Sequence, residues 1–353
     1  MDAFREVLNG LALVDHHAHG LLREPPGSLD EFRGLFTESA DPRQWRHVGC
    51  SLMYRRAIRV LAGHLGCAAD EQAVFSVRRE MEGSDYAESL LRATGTELLL
   101  VDTGFPAADV GTRVDELGAL AGCEARPVLR IESLADEGEG RLRSAEAVAA
   151  RVAAARAEGY VALKTIAAYR GGLDLAALAP AVRSDRVEGA AMGEVLLAAL
   201  EANEATGDPL PVQVHTGFGD SDLLLPAARP GLLKPLVERF AETTFVLLHC
   251  YPFVREAGWM ASVYGNVFFD LSLTIPHVAR PAAALAEALE LAPMSKLLYA
   301  SDAARTPELF LLASVWWRDA LAAVLPELLG EEDALVAAGM ILRTNALQLY
   351  RLG

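Results

Sequence analysis

Short apolar runs recur along the chain between longer stretches with helical spacing. Each run is rich in Val, Leu and Ile, which is typical of strands covered on both faces. The eight runs are LALVD (11–15), ELLLVD (97–102), RPVLRI (126–131), YVALKTI (160–166), LPVQVH (210–215), TFVLLH (244–249), NVFFDLS (266–272) and KLLYAS (296–301). Their alternation with helical segments predicts a parallel sheet, and their number predicts an α/β fold of the (β/α)8 TIM-barrel type.

The stretches between the runs carry the amphipathic pattern of outer-ring helices. Residues 144–159 (SAEAVAARVAAARAEG) place Ala and Val on one stripe and Arg and Glu on the other. An open doubly wound sheet is the alternative. It requires a Gly-rich phosphate turn after the first strand, where this chain has HHAHG. The pattern therefore favours the barrel.

The segment of residues 22–95 is too long for one βα connection. It contains a helical pattern in SLMYRRAIRVLAGHLG, so we expect a helical insertion after strand 1 that lies over the barrel mouth as a candidate lid. The sequence has no internal repeat, low-complexity tract or linker that marks a second domain. Residues 1–353 are therefore predicted to form a single barrel domain that includes this insertion.

Five of the eight histidines lie at the ends of predicted strands, where side chains of a barrel face the site mouth. His17 and His19 end the first run. Alternation along an extended segment puts both on one face, so that both imidazoles reach one ion. His16 then faces the opposite way and is interpreted as structural. His215 and His249 end the fifth and sixth runs.

A carboxylate and a lysine complete the candidate metal centre. Asp302 follows the eighth run in YASDA, and Lys164 lies within the fourth. Two histidines of strand 1, a third histidine and Asp302 leave a position open for water or substrate, as a catalytic metal site requires. The candidate metal ligands are His17, His19, His215 and Asp302. Zn²⁺ is the first choice, and Mn²⁺ or Fe²⁺ also suit these ligands.

Lys164 has two alternative roles. A protonated lysine repels a cation, so it can serve the metal only as a carbamate. In that case it bridges two metals, with His215 and His249 on the second one, so the chain holds one or two ions. The alternative is a cation that pairs with a carboxylate of the substrate.

The ordered set of side chains resembles the amidohydrolase superfamily, whose pattern is His-x-His on strand one, Lys or Glu on strand four, His on strands five and six, and Asp on strand eight. The phrases VDHHAHG, LKTIAAYRGGL, VHTGFGDSD, LLHCYPFVREAGWMASVYGNVFFDLS and YASDA are similar to the amidohydrolase-2 branch. They are most similar to the amidohydrolase region of the FluG and nodulin/glutamine-synthetase-like proteins. The resemblance spans essentially the whole chain. Those long relatives continue into a ligase-like domain, so we expect no ligase activity in residues 1–353.

The resemblance implies a metal-dependent hydrolase. The metal would lower the pKa of bound water toward about 7 and polarise a carbonyl oxygen. Asp302 would accept the proton of the water. In similar mononuclear members the histidine of strand six is catalytic rather than a ligand, which assigns His249 a catalytic role.

Several polar residues near the predicted mouth are candidates for substrate binding. Tyr169 and Arg170 follow the fourth run, Glu132 ends the third, and Asp220 and Asp222 lie in TGFGDSD. Arg170 suits a carboxylate, although such an arginine equally often pairs with a neighbouring acid. The two aspartates suit a cationic or amino group, with turn formation as the alternative.

Three functions are compatible with these residues. Hydrolysis of an amide in a small molecule leads, and a γ-glutamyl-type amide is suggested by the resemblance alone. Non-oxidative decarboxylation of an aromatic or unsaturated carboxylic acid is the runner-up. A catalytically inactive barrel that binds a ligand is the alternative of another class, but no expected ligand position is missing.

Composition and charge limit the partners. The chain has 32 basic and 48 acidic residues, a net charge of −16 that repels nucleic acid. Its four cysteines form no CxxC pair, which indicates a reducing cytoplasm. The start lacks an apolar signal region, and we expect no later apolar segment of about 18 residues and no membrane partner. Trp316 and Trp317 are not expected to face inward together, which suggests a homo-oligomer contact there.

Overall fold

Eight parallel strands form one sheet in the computed structural model, which describes residues 2–81, 83–135, 144–174 and 187–353. The strands are β1 (Leu13–Ala18), β2 (Thr96–Asp102), β3 (Glu124–Arg130), β4 (Ala162–Thr165), β5 (Val212–Thr216), β6 (Phe245–His249), β7 (Val267–Asp270) and β8 (Leu297–Leu298). They are hydrogen-bonded in chain order. After β8, the Asp302 amide donates to the His17 carbonyl at 2.9 Å, which joins the last strand to the first. The predicted barrel is confirmed.

Each strand overlaps one of the eight predicted apolar runs. All residues of β1, β4, β5 and β6 are buried, because the barrel interior covers one face and the helices cover the other. Polar side chains are tolerated in these strands only near their carboxyl ends or where hydrogen-bond partners are available. The apolar runs therefore fix where the polar site lies.

Helices cover the outside of the barrel and fill the insertion. They are α1 (Asp2–Asn9), α2 (Leu29–Gly34), α3 (Pro42–Val48), α4 (Leu52–Leu65), α5 (Glu71–Glu80), α6 (Gly83–Arg92), α7 (Val114–Ala121), α8 (Ile131–Ala135), α9 (Ala145–Ala154), α10 (Val187–Ala205), α11 (Lys234–Arg239), α12 (Val254–Val263), α13 (Thr274–His277), α14 (Pro281–Leu289), α15 (Pro307–Leu329), α16 (Glu331–Gly339) and α17 (Asn345–Tyr350). Helices α2 to α6 lie between β1 and β2, so the chain has the helical insertion predicted after strand 1.

Local sequence signals start and end these helices. Ser51 precedes α4 and its side chain accepts a hydrogen bond from the Tyr54 amide, while Gly66 ends the helix in the left-handed conformation with φ 67°. A hydroxyl at the N-cap and a glycine after the last turn satisfy backbone groups that the helix leaves unpaired. The insertion is thus built from ordinary helical units.

The insertion is tied to the loop that follows β8. The Arg78 guanidinium of α5 lies 2.7 Å from Glu308 at the start of α15, and the side chains of this ion pair are 10% and 0% exposed. The Tyr86 hydroxyl of α6 donates to the same carboxylate at 2.9 Å. Arg305 donates to the Thr37 carbonyl at 3.0 Å. These contacts hold the insertion against the loop that carries Asp302.

Helix α15 differs from two expectations. By length and composition it is apolar enough to cross a membrane, yet 72% of the relevant window is buried inside the fold. Trp316 and Trp317 are both buried, because the insertion covers one side of the helix and the barrel covers the other. The Arg56 guanidinium stacks 4.4 Å from the Trp316 ring, and Trp317 donates to the Ala300 carbonyl. The prediction that both cannot face inward is wrong, and it no longer supports an oligomer contact.

Candidate metal centre

Three predicted metal ligands converge where β1 and β8 end. Nε2 of His17 lies 3.0 Å from Oδ1 of Asp302, and Nε2 of His19 lies 3.2 Å from the same oxygen. One ligand atom from each residue lies within 4.8 Å of the other two. Both histidines are buried, and the Asp302 side chain is 10% exposed. Two imidazoles and a carboxylate therefore surround one point that is open to solvent on the side of His19 and Asp302.

Strand β1 is irregular where it carries the histidines. Its pairing with β2 shifts register in its second half, so strict alternation fails there. His17 and His19 still converge, as predicted. His16 lies inside the barrel as well, with Nε2 at 2.9 Å from Asp270 Oδ2 and Nδ1 at 3.0 Å from the Tyr350 hydroxyl. The predicted orientation of His16 is therefore wrong, although its contacts are those of a structural residue.

Two site residues have a left-handed backbone. Asp302 has φ 49° and His249 has φ 68°, a conformation that non-glycine residues adopt at functional sites more often than elsewhere. The His249 amide donates to Asp270 Oδ1 at 2.7 Å, and the Thr274 hydroxyl donates to the His249 carbonyl at 2.5 Å. These bonds hold the turn that directs the His249 side chain into the site.

His215 and His249 lie side by side, with ring centroids 4.4 Å apart. Nε2 of His215 is buried and has no hydrogen-bond partner among the described residues. The Ser272 hydroxyl donates to Asp270 Oδ1 at 2.8 Å, so it accepts from Nδ1 of His249 at 2.7 Å. A neutral His249 then keeps Nε2 unprotonated. Nδ1 of His249 is also 3.7 Å from Asp302 Oδ2.

Lys164 lies in the middle of this group. Its side chain is buried, and Nζ is 3.0 Å from Nε2 of His17. Burial lowers the pKa of Lys164 to about 8, against the opposing charges of Asp102 and Asp302. A carbamate forms from the neutral amine, whereas a substrate carboxylate pairs with the ammonium. Both predicted roles of Lys164 are compatible with this position.

Burial keeps the imidazoles of His17, His215 and His249 neutral. It lowers the pKa of His17 to about 4, with the charge of Lys164 acting in the same direction. It also holds the pKa of His215 and His249 well below the usual range. Burial alone would raise the pKa of Asp302, but the facing imidazoles outweigh it and hold this pKa well below its usual value. Neutral imidazoles and an ionised carboxylate are the forms that bind a divalent cation.

The donor set fits the predicted metal. Nε2 of His17 and Nε2 of His19 lie 3.0 and 3.2 Å from Oδ1 of Asp302. At these distances an unprotonated imidazole nitrogen and a carboxylate oxygen repel each other, unless a proton or a cation lies between them. Nε2 of His215, which has no partner among the described residues, can supply a further donor, and a buried polar atom without a partner calls for such an explanation. Histidines with one carboxylate are typical ligands of Zn²⁺, Mn²⁺ and Fe²⁺.

A cavity of about 460 Å³ opens above these residues. Tyr169, Arg170, Asp220 and Asp222, which the sequence predicts to bind substrate, line it together with His19, Lys164, His215, His249 and Asp302. Arg170 is exposed and donates only weakly to the Tyr169 carbonyl, at 3.5 Å. Asp220 accepts from the Asp222 amide at 2.9 Å, which is the turn contact given as the alternative for this pair.

Glu132 is the exception among the predicted substrate residues. It is buried, it does not line the cavity, and its Oε1 accepts from the Thr165 hydroxyl at 2.5 Å and from the Ile166 amide at 2.9 Å. Burial raises the pKa of Glu132. Its side chain therefore supports the turn after β4 rather than the substrate, because α8 begins directly after β3 and directs it toward β4.

Other residues of the cavity were not predicted. Glu38 comes from the insertion, Arg305 follows Asp302, and His277 ends α13. Glu38, Asp220 and His277 also line a neighbouring cavity of about 590 Å³ under the insertion. No local motif marks Glu38, since only the path of the insertion brings it to the mouth. Arg305 carries a detectable signal, because it lies two residues after the predicted YASDA segment.

The comparison with protein families decides which family this is. The amidohydrolase family model matches residues 132–352, more than half of the chain. This chain belongs to the amidohydrolase family. The curated protein FluG of Emericella nidulans is 30% identical over the full length of this amidohydrolase, which spans about half (47%) of FluG. The resemblance inferred from the sequence is therefore confirmed.

Solved structures support the same assignment for this amidohydrolase. A Lactobacillus casei protein described as a "putative metal-dependent hydrolase" has a TM-score of 0.85 and 28% identity, over 99% of this chain and 97% of that one. Uronate isomerase of Thermotoga maritima has a TM-score of 0.63 and 12% identity, over 99% of this chain and 96% of that one. The second similarity shows the fold alone. Together with the family, the first indicates a metal-dependent enzyme of the hydrolase type.

Proposed function

We propose that this amidohydrolase hydrolyses an amide C–N bond of a small molecule with a metal held by His17, His19, His215 and Asp302. The observation that carries the proposal is the convergence of two Nε2 atoms on one oxygen of Asp302, at 3.0 and 3.2 Å, below a cavity of about 460 Å³. Family membership supports hydrolase chemistry, and the geometry supports a cation at this point.

The bound metal would supply a Lewis acid for the carbonyl and a lowered pKa for the attacking water. Asp302 is ionised, and its Oδ2 lies 3.7 Å from Nδ1 of His249. Asp302 can therefore take the proton of the attacking water as its oxygen bonds to the carbonyl carbon. His249, whose Nε2 is unprotonated, accepts the second proton of that water and donates it to the leaving nitrogen as the C–N bond breaks, and Asp302 then releases the first proton to the amine product.

The charges around the cavity support a substrate that carries both a carboxylate and an amino group. Arg170 and Lys164 suit the carboxylate, in agreement with the cationic role of Lys164. Glu38, Asp220 and Asp222 suit the amino group. A γ-glutamyl amide, the class that the sequence resemblance suggests, carries both groups. We therefore propose a γ-glutamyl-type amide as the substrate class.

The other predicted functions have less support. Neither the family nor the Lactobacillus casei relative is described as a decarboxylase, so we do not propose that reaction. An inactive binding protein is expected to have lost part of its ligand set. Here His17, His19 and Asp302 form one cluster, and His19, His215 and Asp302 line one cavity, which argues for turnover.

Metal analysis of the purified protein tests the proposal. We expect one equivalent, with Zn²⁺ favoured over Mn²⁺ and Fe²⁺, in the parent and none in His17→Ala/His19→Ala. His64→Ala is the control, because this histidine contacts Ser89 outside the site. The loaded parent should release amine from γ-glutamyl amides. A protein that takes up no metal after reconstitution contradicts the metal site. A loaded protein that cleaves no amide contradicts the proposed reaction.

A further inference from the structure

A buried glutamine side chain contacts the nitrogen of His17 that faces away from the proposed metal. Gln213 lies on β5, two residues before His215, and is fully buried. Its Nε2 is 2.7 Å from the His16 carbonyl oxygen, and its Oε1 is 2.8 Å from Nδ1 of His17. A carbonyl oxygen only accepts hydrogen bonds. The amide of Gln213 must therefore direct its nitrogen to His16 and its oxygen to His17.

This orientation determines which nitrogen of His17 carries the proton. Oε1 of Gln213 only accepts, so Nδ1 of His17 donates. A neutral imidazole has one N–H, and Nε2 is then the unprotonated nitrogen. This nitrogen is the one that lies 3.0 Å from Asp302 Oδ1 and 3.0 Å from Lys164 Nζ. The glutamine thus prepares the lone pair that the metal requires.

The remaining groups of the network satisfy one another. The Tyr350 hydroxyl of α17 accepts from Nε2 of Gln213 at 3.0 Å and donates to Nδ1 of His16 at 3.0 Å. Nε2 of His16 then donates to Oδ2 of Asp270 at 2.9 Å. Each of these donors in the hydrogen-bond network has an acceptor. None of the side chains can therefore rotate without leaving a buried polar group unpaired.

We propose that Gln213 is a positioning residue for the metal centre, which holds His17 in the tautomer whose Nε2 is available to the metal. The inference rests on the metal site proposed above. Partners of the non-ligating nitrogen of a metal-binding histidine change metal affinity by about 10–100-fold. Here the partner is a neutral amide, so it fixes the tautomer and the ring without adding negative charge to the site.

Two substitutions of Gln213 separate positioning from packing. Gln213→Met keeps the volume but removes the acceptor, and it should weaken Zn²⁺ binding by about 10–100-fold. In Gln213→Glu a protonated carboxyl still presents an acceptor oxygen to Nδ1 of His17 and a donor O–H to the His16 carbonyl, so this variant should bind Zn²⁺ nearly as tightly as the parent. Affinity is measured by competition with a chromogenic chelator. The visible spectrum of the Co²⁺-loaded protein should change in Gln213→Met and stay close to that of the parent in Gln213→Glu.

The control removes a similar buried amide near the C-terminal end of α10, where it contacts the segment that precedes β5. Asn203 is buried, donates to the Leu210 carbonyl and accepts from the Leu210 amide, both at 2.9 Å. Asn203→Leu should lower the midpoint of thermal unfolding without changing Zn²⁺ affinity. Tyr350→Phe tests the network if Gln213→Met does not fold, and it should also weaken Zn²⁺ binding, by less than the loss of Gln213 itself.

The outcomes distinguish this inference from the metal site itself. Equal Zn²⁺ affinity in the parent and Gln213→Met overturns the role of Gln213 and leaves the metal site intact. Equal losses in Gln213→Met and Gln213→Glu also overturn it, because they indicate packing alone. A parent protein that binds no metal overturns both.

Discussion

Nζ of Lys164 lies 3.0 Å from Nε2 of His17, the same nitrogen that faces Asp302. In the metal-free protein an ammonium at this position donates to the imidazole lone pair. When a divalent cation takes that lone pair, the ammonium must turn away from it, toward a substrate carboxylate in the cavity. Burial lowers the pKa of Lys164 to about 8, which reduces the free-energy difference between ammonium and amine near neutral pH. The state of Lys164 therefore decides how many ions the centre holds.

Lys164→Met should keep one equivalent of metal, because His17, His19, His215 and Asp302 stay in place. The KM for a substrate with a carboxylate should rise, since the variant removes its cationic partner. Plasma mass spectrometry measures the metal content of parent and variant, with and without bicarbonate. A parent with two equivalents that depend on bicarbonate, and a variant with fewer, would instead assign Lys164 as a bridging carbamate.

His249→Gln should keep its metal and lose about 10²–10⁴-fold in kcat, because the proposed proton transfer to the leaving nitrogen is removed. Ser272→Ala is the comparison, since it removes the acceptor of Nδ1 at 2.7 Å and a hydrogen bond to Asp270 at 2.8 Å but keeps the imidazole, and it should lower kcat less. Metal content and kcat are measured on the same samples. Loss of metal from His249→Gln would show that this histidine is a ligand.

Glu38→Gln should raise the KM for a γ-glutamyl amide by about tenfold, because a charged hydrogen bond to the amino group is lost. For the corresponding glutaryl amide, which lacks that amino group, the variant and the parent should have the same KM. Glu80→Gln, an exposed change of equal charge, is the control. An equal rise in KM for both amides would mean that Glu38 shapes the cavity and does not bind the amino group.

Asp15 makes the stability depend on pH. It is buried on β1 and accepts from the Ser301 amide at 2.9 Å, and burial raises its pKa to about 7 from an ordinary value of 3.8. Between these values the folded state binds more protons than the unfolded state, so this group's contribution to stability falls as the pH rises. Asp15→Asn should therefore gain stability relative to the parent from pH ~4 to pH ~8, by at most about 4 kcal/mol.

Urea unfolding of the chelator-treated protein at several pH values measures this difference. Chelator is needed because the charge of Asp302 also raises the pKa of Asp15, and a bound metal would change that charge. A free-energy difference that stays constant with pH would mean that Asp15 ionises alike in the folded and unfolded chains.

The residues at strand ends could be predicted because their positions follow from the apolar runs. Once eight runs define a barrel, a polar residue that ends a run must face the mouth, and this places His17, His19, His215 and Asp302 near one another. The orientation of His16 could not be predicted, since it depends on the shifted register between β1 and β2.

Contacts between distant segments are not encoded in any local pattern. In the sequence, nothing distinguishes Gln213 from the other residues of a buried strand. Its role can be recognised only in the folded chain, where α17 places the Tyr350 hydroxyl 3.0 Å from Nε2 of Gln213. Glu38 lies in the loop between α2 and α3, and no periodicity specifies the path of this loop over the mouth. Trp317 is buried because two layers enclose α15, and single-helix patterns carry no information about a second layer.

The buried ion pair between Arg78 and Glu308 makes a prediction about the insertion as a whole. Glu308 is fully buried, so Arg78→Met leaves a carboxylate without its cation and should destabilise the fold by about 3–5 kcal/mol. Adding Glu308→Gln should restore part of this loss. Arg343→Met, which breaks the half-exposed pair with Glu97, should change the free energy of unfolding by less than about 1 kcal/mol.

Denaturant unfolding gives these free energies, and hydrogen exchange of α5 and α6 shows where they act. Because Arg78 and Tyr86 bind Glu308 at the start of α15, and Thr37 binds Arg305 in the loop that follows Asp302, we expect the insertion to be a fixed wall of the site rather than the opening lid predicted from the sequence. Its amides should then exchange as slowly as those of the barrel helices in the parent, and faster in Arg78→Met. Fast exchange of α5 and α6 already in the parent would favour the lid, because it requires these contacts to break while the barrel stays folded.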